Sequence, residues 1–172
     1  SVLESLWQEA SADEDCDVKV VPIPYYYKRQ MGAVLSEMQY DGDQFPDYVQ
    51  ITPYYEYFVE NNHPDVIYIQ NPYDQWNYSV TVNEKYYSSE LWKNTEQLIY
   101  IPWFKIDEMD PEDERGLKSR EYFVPFPGVV NADEVIVQSE AMKQSYVEYL
   151  CQWAGDGFRL KKKKKIQGTG AE

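Results

Sequence analysis

The stretch Ile67-Tyr68-Ile69-Gln70-Asn71-Pro72-Tyr73-Asp74-Gln75-Trp76-Asn77 decides the fold prediction. Its apolar first part predicts a buried strand from Asp65 to Gln70. The residues that follow are turn formers, because Asn-Pro and Asp favour chain reversal. In an open α/β sheet, ligands bind at the carboxyl ends of the strands. The turn therefore offers amide, phenol and carboxylate groups at a predicted ligand-binding edge, although the same residues also suit an ordinary turn.

Strands and helices are predicted to alternate along the rest of the chain. Two segments interrupt this alternation, a hairpin or short strands within Met31–Tyr40 and an acidic exposed loop at Asp107–Gly116. The other predicted strands are Val18–Ile23, Gln97–Ile101, Glu134–Gln138 and a short one through Ile166. The predicted helices are Val2–Ala10, a helix from Thr52-Pro53 to near Asn62, Ser88–Glu96 and Ser139–Ala154. Leu91 and Trp92 are predicted to face inward, as is a stripe on the last helix that includes Met142 and Trp153. This alternation predicts an α/β fold in three layers, a mostly parallel sheet with helices on both faces.

Four junctions between a strand and its following turn are expected to share one edge of that sheet. They are Pro24-Tyr25-Tyr26, Asn71-Pro72-Tyr73-Asp74, Pro102-Trp103-Phe104 and Gln138-Ser139-Glu140. A cleft at this edge would be rich in aromatic, amide and carboxylate groups. The candidate contacts for a ligand are Tyr25, Tyr26, Asn71, Tyr73, Asn77, Trp103 and Ser139.

The charge of the chain is strongly acidic and unevenly distributed. The 172 residues carry 30 acids and 16 bases, a net charge of −14. Residues 1–158 hold 29 of the acids and 10 of the bases, so this body repels nucleic acid phosphates and predicts no nucleic-acid partner. The basic run Lys161–Lys165 suits contact with anionic lipid headgroups, but a solvated linker or a strand-edge run is the favoured interpretation.

The residues needed for metal or triad chemistry are scarce. His63 is the single histidine, and Cys16 and Cys151 lie far apart outside any metal-ligand spacing, so no metal site and no cofactor are predicted. A Ser-His-Asp triad would have to use His63, and no nucleophile elbow accompanies it. Unpaired cysteines are typical of a reducing compartment, which favours the cytoplasm. The sequence contains no apolar run of about 18 residues, so no transmembrane helix is predicted.

Tyrosine is unusually frequent. The chain contains 17 tyrosines, several in runs such as Tyr25-Tyr26-Tyr27, Tyr54-Tyr55 and Tyr86-Tyr87. A tyrosine joins a flat apolar ring to a polar tip, which suits sugar and polyol recognition. The alternative is that most of these rings belong to the core and keep their hydroxyls at the surface.

Five segments resemble one known family in the same order along the chain. They are Pro22–Tyr26, Asp65–Asn77, Tyr87–Leu91, Tyr100–Phe104 and Ala132–Glu140. Over most of residues 3–170 the chain is similar to the amino-terminal domain of CDP-glycerol glycerophosphotransferase-like proteins, the teichoic-acid polymerases of Gram-positive bacteria.

The resemblance implies a B-type glycosyltransferase fold, with an amino-terminal Rossmann-like domain that holds the acceptor. It assigns residues 1–166 to this domain and residues 167–172 to the start of a linker to a carboxy-terminal nucleotide-donor domain that this chain lacks. The implied reaction is attack of an acceptor hydroxyl, on a glycan or polyol phosphate, at the β-phosphate of CDP-glycerol, with release of CMP. It implies a cytoplasmic enzyme of cell-wall polymer synthesis, at the inner face of the membrane if Lys161–Lys165 binds lipid.

The chain departs from the family pattern in two further ways. Gln70 stands where the family is expected to have histidine, and an amide does not titrate. The strand that should precede the Val2 helix is also missing. Asp74 is then the candidate general base, while the alternative is that Asp74 only caps its turn. Besides a transferase domain, the sequence is compatible with a binding module for a glycan or polyol phosphate, or with a protein-interaction domain without catalysis.

Overall fold

The chain folds as an α/β protein with one parallel and one antiparallel sheet. The computed structural model describes residues 2–29, 34–104, 114–155 and 165–169. Its helices are α1 (Val2–Ala12), α2 (Val59–Asn62), α3 (Ser88–Leu91), α4 (Glu114–Ser119), α5 (Pro127–Asn131) and α6 (Glu140–Ala154). Its strands are β1 (Tyr25–Arg29), β2 (Val34–Leu35), β3 (Val66–Ile69), β4 (Val80–Val82), β5 (Gln97–Tyr100), β6 (Glu134–Val137) and β7 (Lys165–Gly168).

The parallel sheet has four strands in the order β3-β5-β6-β7. Strands β3, β5 and β6 were predicted within one residue of their observed bounds, and β7 corresponds to the short strand predicted through Ile166, so the mostly parallel sheet is confirmed. Ile67 of β3 pairs with Leu98 of β5, and Tyr100 pairs with Val135 of β6. All three pairings in this sheet are parallel, and the carboxyl ends of the four strands therefore lie at one edge.

The main hydrophobic core lies on one face of the parallel sheet. Leu98 and Tyr100 of β5 and Val135 of β6 are fully buried there. Helix α6 covers them with a stripe of Met142, Tyr146 and Leu150, spaced four residues apart on one side of the helix. Full burial of one such side chain stabilises the fold by about 1.5–3 kcal/mol, so this contact fixes α6 against the sheet.

The opposite face of the sheet carries a partly buried polar ladder. Glu134 on β6 accepts a hydrogen bond from Gln97 Nε2 of β5 at 3.1 Å and another from Gln167 Nε2 of β7. One carboxylate thus joins three adjacent strands. A slip of the register by one residue would bury this charge without its two donors, so the ladder favours the observed register.

The amino-terminal segment differs from the prediction. Val18–Ile23 is not a strand of the parallel sheet, because its only ladder contact in the described chain is a parallel bridge between Val20 and Ile51. Pro22 and Pro24 lack N–H donors at two positions that face the same edge, which prevents a continuous ladder. The chain instead forms a second, antiparallel sheet in the order β2-β1-β4. The pairing of β1 with β2 confirms the short strands predicted within Met31–Tyr40.

The helix predicted from Thr52 is wrong at its beginning. Residues 54–56 form a turn, and α2 occupies only Val59–Asn62. The Tyr54 ring packs edge-on against Tyr40 at 5.3 Å, and this tertiary contact competes with the local helix signal. His63, with φ at 42°, ends the helix before Pro64 as expected.

Three smaller predictions also need correction. Glu114–Gly116 lies in α4, and the remainder of the predicted acidic loop falls outside the described residues. Trp92 is 42% exposed because its indole N–H reaches Asp133 Oδ1 at 3.2 Å. Trp153, on the last turn of α6, is 56% exposed, so the buried stripe of this helix ends at Leu150.

The predicted cap of α6 is present. Ser139 Oγ accepts a hydrogen bond from the N–H of Met142 at 3.1 Å, as an N-cap side chain does. Replacing Ser139 by alanine is expected to lower the free energy of unfolding by about 1 kcal/mol, because it removes that acceptor. Urea denaturation of Ser139→Ala and of Ser139→Asp, which keeps a capping oxygen, checks this. A loss of equal size in both variants would contradict it.

Candidate functional site

Three of the four predicted strand ends meet at the carboxyl edge of the parallel sheet. The turn at 71–77 follows β3, Trp103 follows β5, and Ser139 follows β6. Thr169 lies at the same edge after β7, where its hydroxyl donates to the carbonyl of Gln138 at 3.0 Å. We refer to this group of strand ends as the carboxyl edge.

Tyr25 and Tyr26 are placed differently from the prediction. Both lie inside β1, where Tyr25 pairs with Val82 and Tyr26 with Thr81, so neither follows a strand of the parallel sheet. The Tyr25 hydroxyl donates to Asp41 at 3.0 Å. Hydrogen bonding to Tyr27 and to Asp41 raises the pKa of Tyr25 to about 12. Proline accounts for the different position of Tyr25 and Tyr26 in the fold, because the strand can only begin after Pro24.

Asp74 is buried and tied to the start of α3. It is 6% exposed, and its carboxylate accepts the N–H of Ser88 at 2.9 Å and the Ser88 hydroxyl at 2.5 Å. The amide of Asn131 donates to the same hydroxyl oxygen at 2.9 Å. Asp74, Ser88 and Asn131 therefore form one chain of hydrogen bonds that joins the turn at 71–77 to α3 and α5.

Burial sets the protonation of Asp74. Removal from water raises the pKa of its carboxyl above the ordinary value of 3.8, and the two bonds from Ser88 lower it in part. A raised carboxyl pKa suits a general base better than an exposed aspartate does. The same hydrogen bonds, however, use the carboxylate to hold Ser88. Asp74 is thus placed to position the turn, and its part in proton transfer stays a prediction.

Two further contacts hold the turn at 71–77 in place. The N–H of Gly128, at the start of α5, donates to the carbonyl of Pro72 at 2.8 Å. Lys28 Nζ on β1 donates to the carbonyls of Gln75 at 2.7 Å and Asn77 at 2.6 Å. The turn is thereby fixed by the antiparallel sheet and by α5, so it presents its side chains from a rigid support.

The two predicted asparagines shape this turn. Asn71 Oδ1 accepts the N–H of Tyr73 at 2.9 Å. Asn77 Oδ1 accepts the N–H groups of Ser79 at 2.9 Å and Val80 at 3.1 Å. Each amide oxygen accepts from a nearby backbone N–H group, and the amide nitrogen of each residue is a donor that could serve a ligand.

Aromatic rings surround the predicted ligand edge. Tyr73 packs edge-on against Phe126 at 4.8 Å, and burial raises the pKa of its phenol. Trp103 is 63% exposed and packs on Phe104 at 5.3 Å. Phe104 in turn contacts Phe123 at 5.9 Å, at the margin of the core. Trp103 thus offers a ring to solvent on a support that the core anchors.

Four residues of this site were not among the predicted contacts: Ser88, Asn131, Gly128 and Lys28. Ser88 was recognised as the start of a helix, but nothing in the sequence links it to Asp74 fourteen positions earlier. Gly128 had a partial signal, because glycine permits close backbone approach and it follows a proline that suits the first turn of a helix.

The fold and the edge together define an α/β domain with a parallel sheet and a polar, aromatic edge. Comparison with known proteins finds no matching family model, no matching curated protein and no matching solved structure. Among the described residues, no three His, Cys, Asp or Glu side chains are grouped closely enough to hold a metal ion. Of the helices in that part of the chain, none has both the length and the apolar character needed to cross a bilayer.

Proposed function

We propose that this chain is the acceptor-side, Rossmann-like domain of an enzyme with the B-type glycosyltransferase fold. The proposed enzyme transfers glycerol phosphate from CDP-glycerol to an acceptor hydroxyl. One observation carries the proposal. Segments that resemble the family, Asp65–Asn77, Tyr100–Phe104 and Ala132–Glu140, are far apart in sequence but end at the same carboxyl edge.

The geometry of the edge suits an acceptor rich in hydroxyl groups. Trp103 and Tyr73 supply flat ring surfaces, and the amides of Asn71 and Asn77 supply donors on a rigid turn. In the proposed reaction an acceptor oxygen forms a bond to the β-phosphorus, the bond from that phosphorus to CMP breaks, and the hydroxyl proton passes to a base. The donor nucleotide would be bound by a separate carboxy-terminal domain.

The sheet also supports the Rossmann-like part of the proposal. Strand β3 stands at one end of the strand order, and no described residue pairs with its outer side. The resemblance implies a further strand before α1, and the open side of β3 is the place where that strand would pair. The membrane contact at Lys161–Lys165 depends on residues that lie largely outside the described ranges and stays a prediction.

A second candidate function has specific support. Asp74 is engaged by Ser88, and Gln70 stands where the family pattern expects the histidine base. These observations favour a module that binds a glycan or polyol phosphate without catalysis. They do not change the place where the ligand would bind.

The first experiment separates these two candidates. The intact mass of the native protein from its source shows whether a donor domain accompanies this one, and an assay for CMP release from CDP-glycerol follows on that native protein. A product about two domains long that releases CMP only when acceptor is present is the expected result. A native product of about one domain, or no CMP release from a longer one, would reject the transferase and leave the binding module.

Removing the Trp103 ring is expected to weaken acceptor binding without unfolding the protein. Trp103→Ala in the native protein should raise the KM for the acceptor about tenfold, because ring contacts of this kind contribute about 1–1.5 kcal/mol. The matched control is Trp153→Ala, since that ring is similarly exposed but lies on the last turn of α6. Equal KM values in the two variants would remove Trp103 from the site.

A further inference from the structure

A groove of about 430 Å³ lies on the antiparallel sheet. We refer to it as the sheet groove. Its lining consists of Tyr27 and Arg29, which alternate along β1, and of Ser36, Glu37 and Gln39, which follow β2. None of these residues was assigned to the carboxyl edge, so the sheet groove is a separate place on the molecule.

A β-bulge shapes the sheet groove. Lys28 pairs with Leu35, whereas Tyr25 forms a bridge with Gln39. Three steps along β1 therefore oppose four steps along the other strand, which contains one extra residue. This residue allows Ser36 and Gln39, an odd number of positions apart, to line the same groove, although regular alternation would place them on opposite faces. Bulges of this kind redirect side chains and are frequent beside functional sites.

Hydrogen bonds hold the bulge in place. Ser36 Oγ accepts the N–H of Tyr27 at 2.8 Å, where a regular ladder would use a backbone carbonyl. The carbonyl of Glu37 accepts from the Ser36 hydroxyl at 2.7 Å and from Gln39 Nε2 at 3.0 Å. The backbone that carries the Glu37 carboxylate is thereby fixed. Gln39 Oε1 accepts no hydrogen bond from a described residue, so it is available as an acceptor.

Two opposite charges line the sheet groove without touching each other. The guanidinium of Arg29 and the carboxylate of Glu37 are both exposed. Neither group has an ion-pair or hydrogen-bond partner among the described residues, and they do not pair with each other. A gap therefore separates the two charges, and a ligand can reach both of them from solvent.

These groups match the chemistry of a free α-amino acid. A ligand with one sign of charge would be attracted by Arg29 or Glu37 and repelled by the other. An amino acid carries both signs, so its carboxylate suits the guanidinium and its ammonium suits the Glu37 carboxylate together with Gln39 Oε1. The Tyr27 ring is 48% exposed and rests edge-on against Tyr25 at 5.6 Å, so it offers an apolar surface to the ligand's side chain.

We propose that the sheet groove binds a free α-amino acid with an aromatic side chain, through both of the ligand's charges. The site combines a cation, an anion, an amide acceptor and an aromatic ring in a groove of the size that small-molecule sites have. It shares no residue with the carboxyl edge. The proposal therefore goes beyond the proposed function and does not rest on it.

Titration of the purified chain with phenylalanine, followed by amide NMR, tests the site. We expect shifts at residues 25–29 and 34–39. N-acetylphenylalanine, which lacks the ammonium, and phenylalanine amide, which lacks the carboxylate, should each bind about tenfold more weakly, because each loses one charge-assisted contact. Absence of shifts with phenylalanine, or equal affinity for all three compounds, would overturn the proposal.

Single-charge variants locate the two contacts. Arg29→Gln and Glu37→Gln should each weaken phenylalanine binding about tenfold, and Arg29→Gln should also abolish the preference for phenylalanine over its amide. Neither variant should lower the melting temperature, because these side chains bond to no described residue. Lys118→Gln, at an exposed cation on α4, is the matched control. Unchanged affinity for phenylalanine in either groove variant would refute the site.

Discussion

Gly128→Ala is expected to lower the free energy of unfolding by about 3 kcal/mol and to displace the turn at 71–77. A Cβ atom at Gly128 would lie 2.6 Å from the Cα of Pro72 and 2.9 Å from the carbonyl oxygen of Asn71. Both are backbone atoms, so no rotamer change relieves the overlap. Either α5 or the turn must move, and the hydrogen bond from Gly128 to Pro72 would break.

Urea denaturation gives the stability change, and amide NMR shifts of residues 71–77 report the displacement. Gly155→Ala is the contrasting variant. Gly155 has φ at 69° and ψ at −176°, a region that essentially only glycine adopts, so alanine there is strained by about 1–3 kcal/mol, but its Cβ would meet nothing within 4 Å. Shifts in the turn should therefore appear in Gly128→Ala alone. A Gly128→Ala protein as stable as the wild-type protein would show that α5 yields without cost.

Three strands of the parallel sheet could be predicted from the sequence because β3, β5 and β6 each contain an apolar run followed by a turn or a capped helix, whereas β7 has the mostly polar sequence Lys-Ile-Gln-Gly. The stretch Val66–Ile69 ends at Asn71-Pro72, and Glu134–Val137 ends at the Ser139 cap, so local signals and tertiary structure agree. The amino-terminal part could not be predicted in this way. Val18–Ile23 has the composition of a strand, but Pro22 and Pro24 lack the N–H groups that pairing would need. Whether those donors are needed depends on which strands lie beside this segment, and that follows only from the tertiary structure.

Part of the candidate site could likewise be predicted from the sequence, and part of it could not. The sequence placed the turn at 71–77, Trp103 and Ser139 at a common edge, because strand direction alone determines that edge. It could not assign the partners of Asp74, since the bond to Ser88 depends on how α3 packs against the turn. The cap that Asp74 provides is therefore for α3 and not for its own turn. Side-chain roles that depend on such packing follow from the fold and not from residue spacing.

Asp74→Ala is expected to cost about 3 kcal/mol of folding free energy. The substitution leaves the N–H and the hydroxyl of Ser88 without their acceptor in a buried position, where Ser88 is 1% exposed. Asp74→Asn retains one acceptor oxygen for the Ser88 N–H and should lose less. Urea denaturation of the two variants at neutral pH checks this order, and equal losses would mean that the carboxylate does not hold Ser88.

The pH dependence of the same pair tests the state of the carboxyl. Since burial raises the pKa of Asp74 above 3.8, the folded protein binds the proton more tightly than the unfolded chain does. The stability that this provides is fully present below the unfolded pKa and is lost as the pH rises through the folded pKa. We therefore compare the free energy of unfolding of the wild-type protein with that of Asp74→Asn. The wild-type value minus the variant value should fall as the pH rises above about 4. The comparison isolates Asp74, because asparagine does not titrate and every other carboxyl is common to both proteins. Urea denaturation across this range measures the difference. A difference that grows with pH would show that the bonds from Ser88 outweigh burial, and Asp74 would then be held ionised and too weakly basic to take a proton from the acceptor.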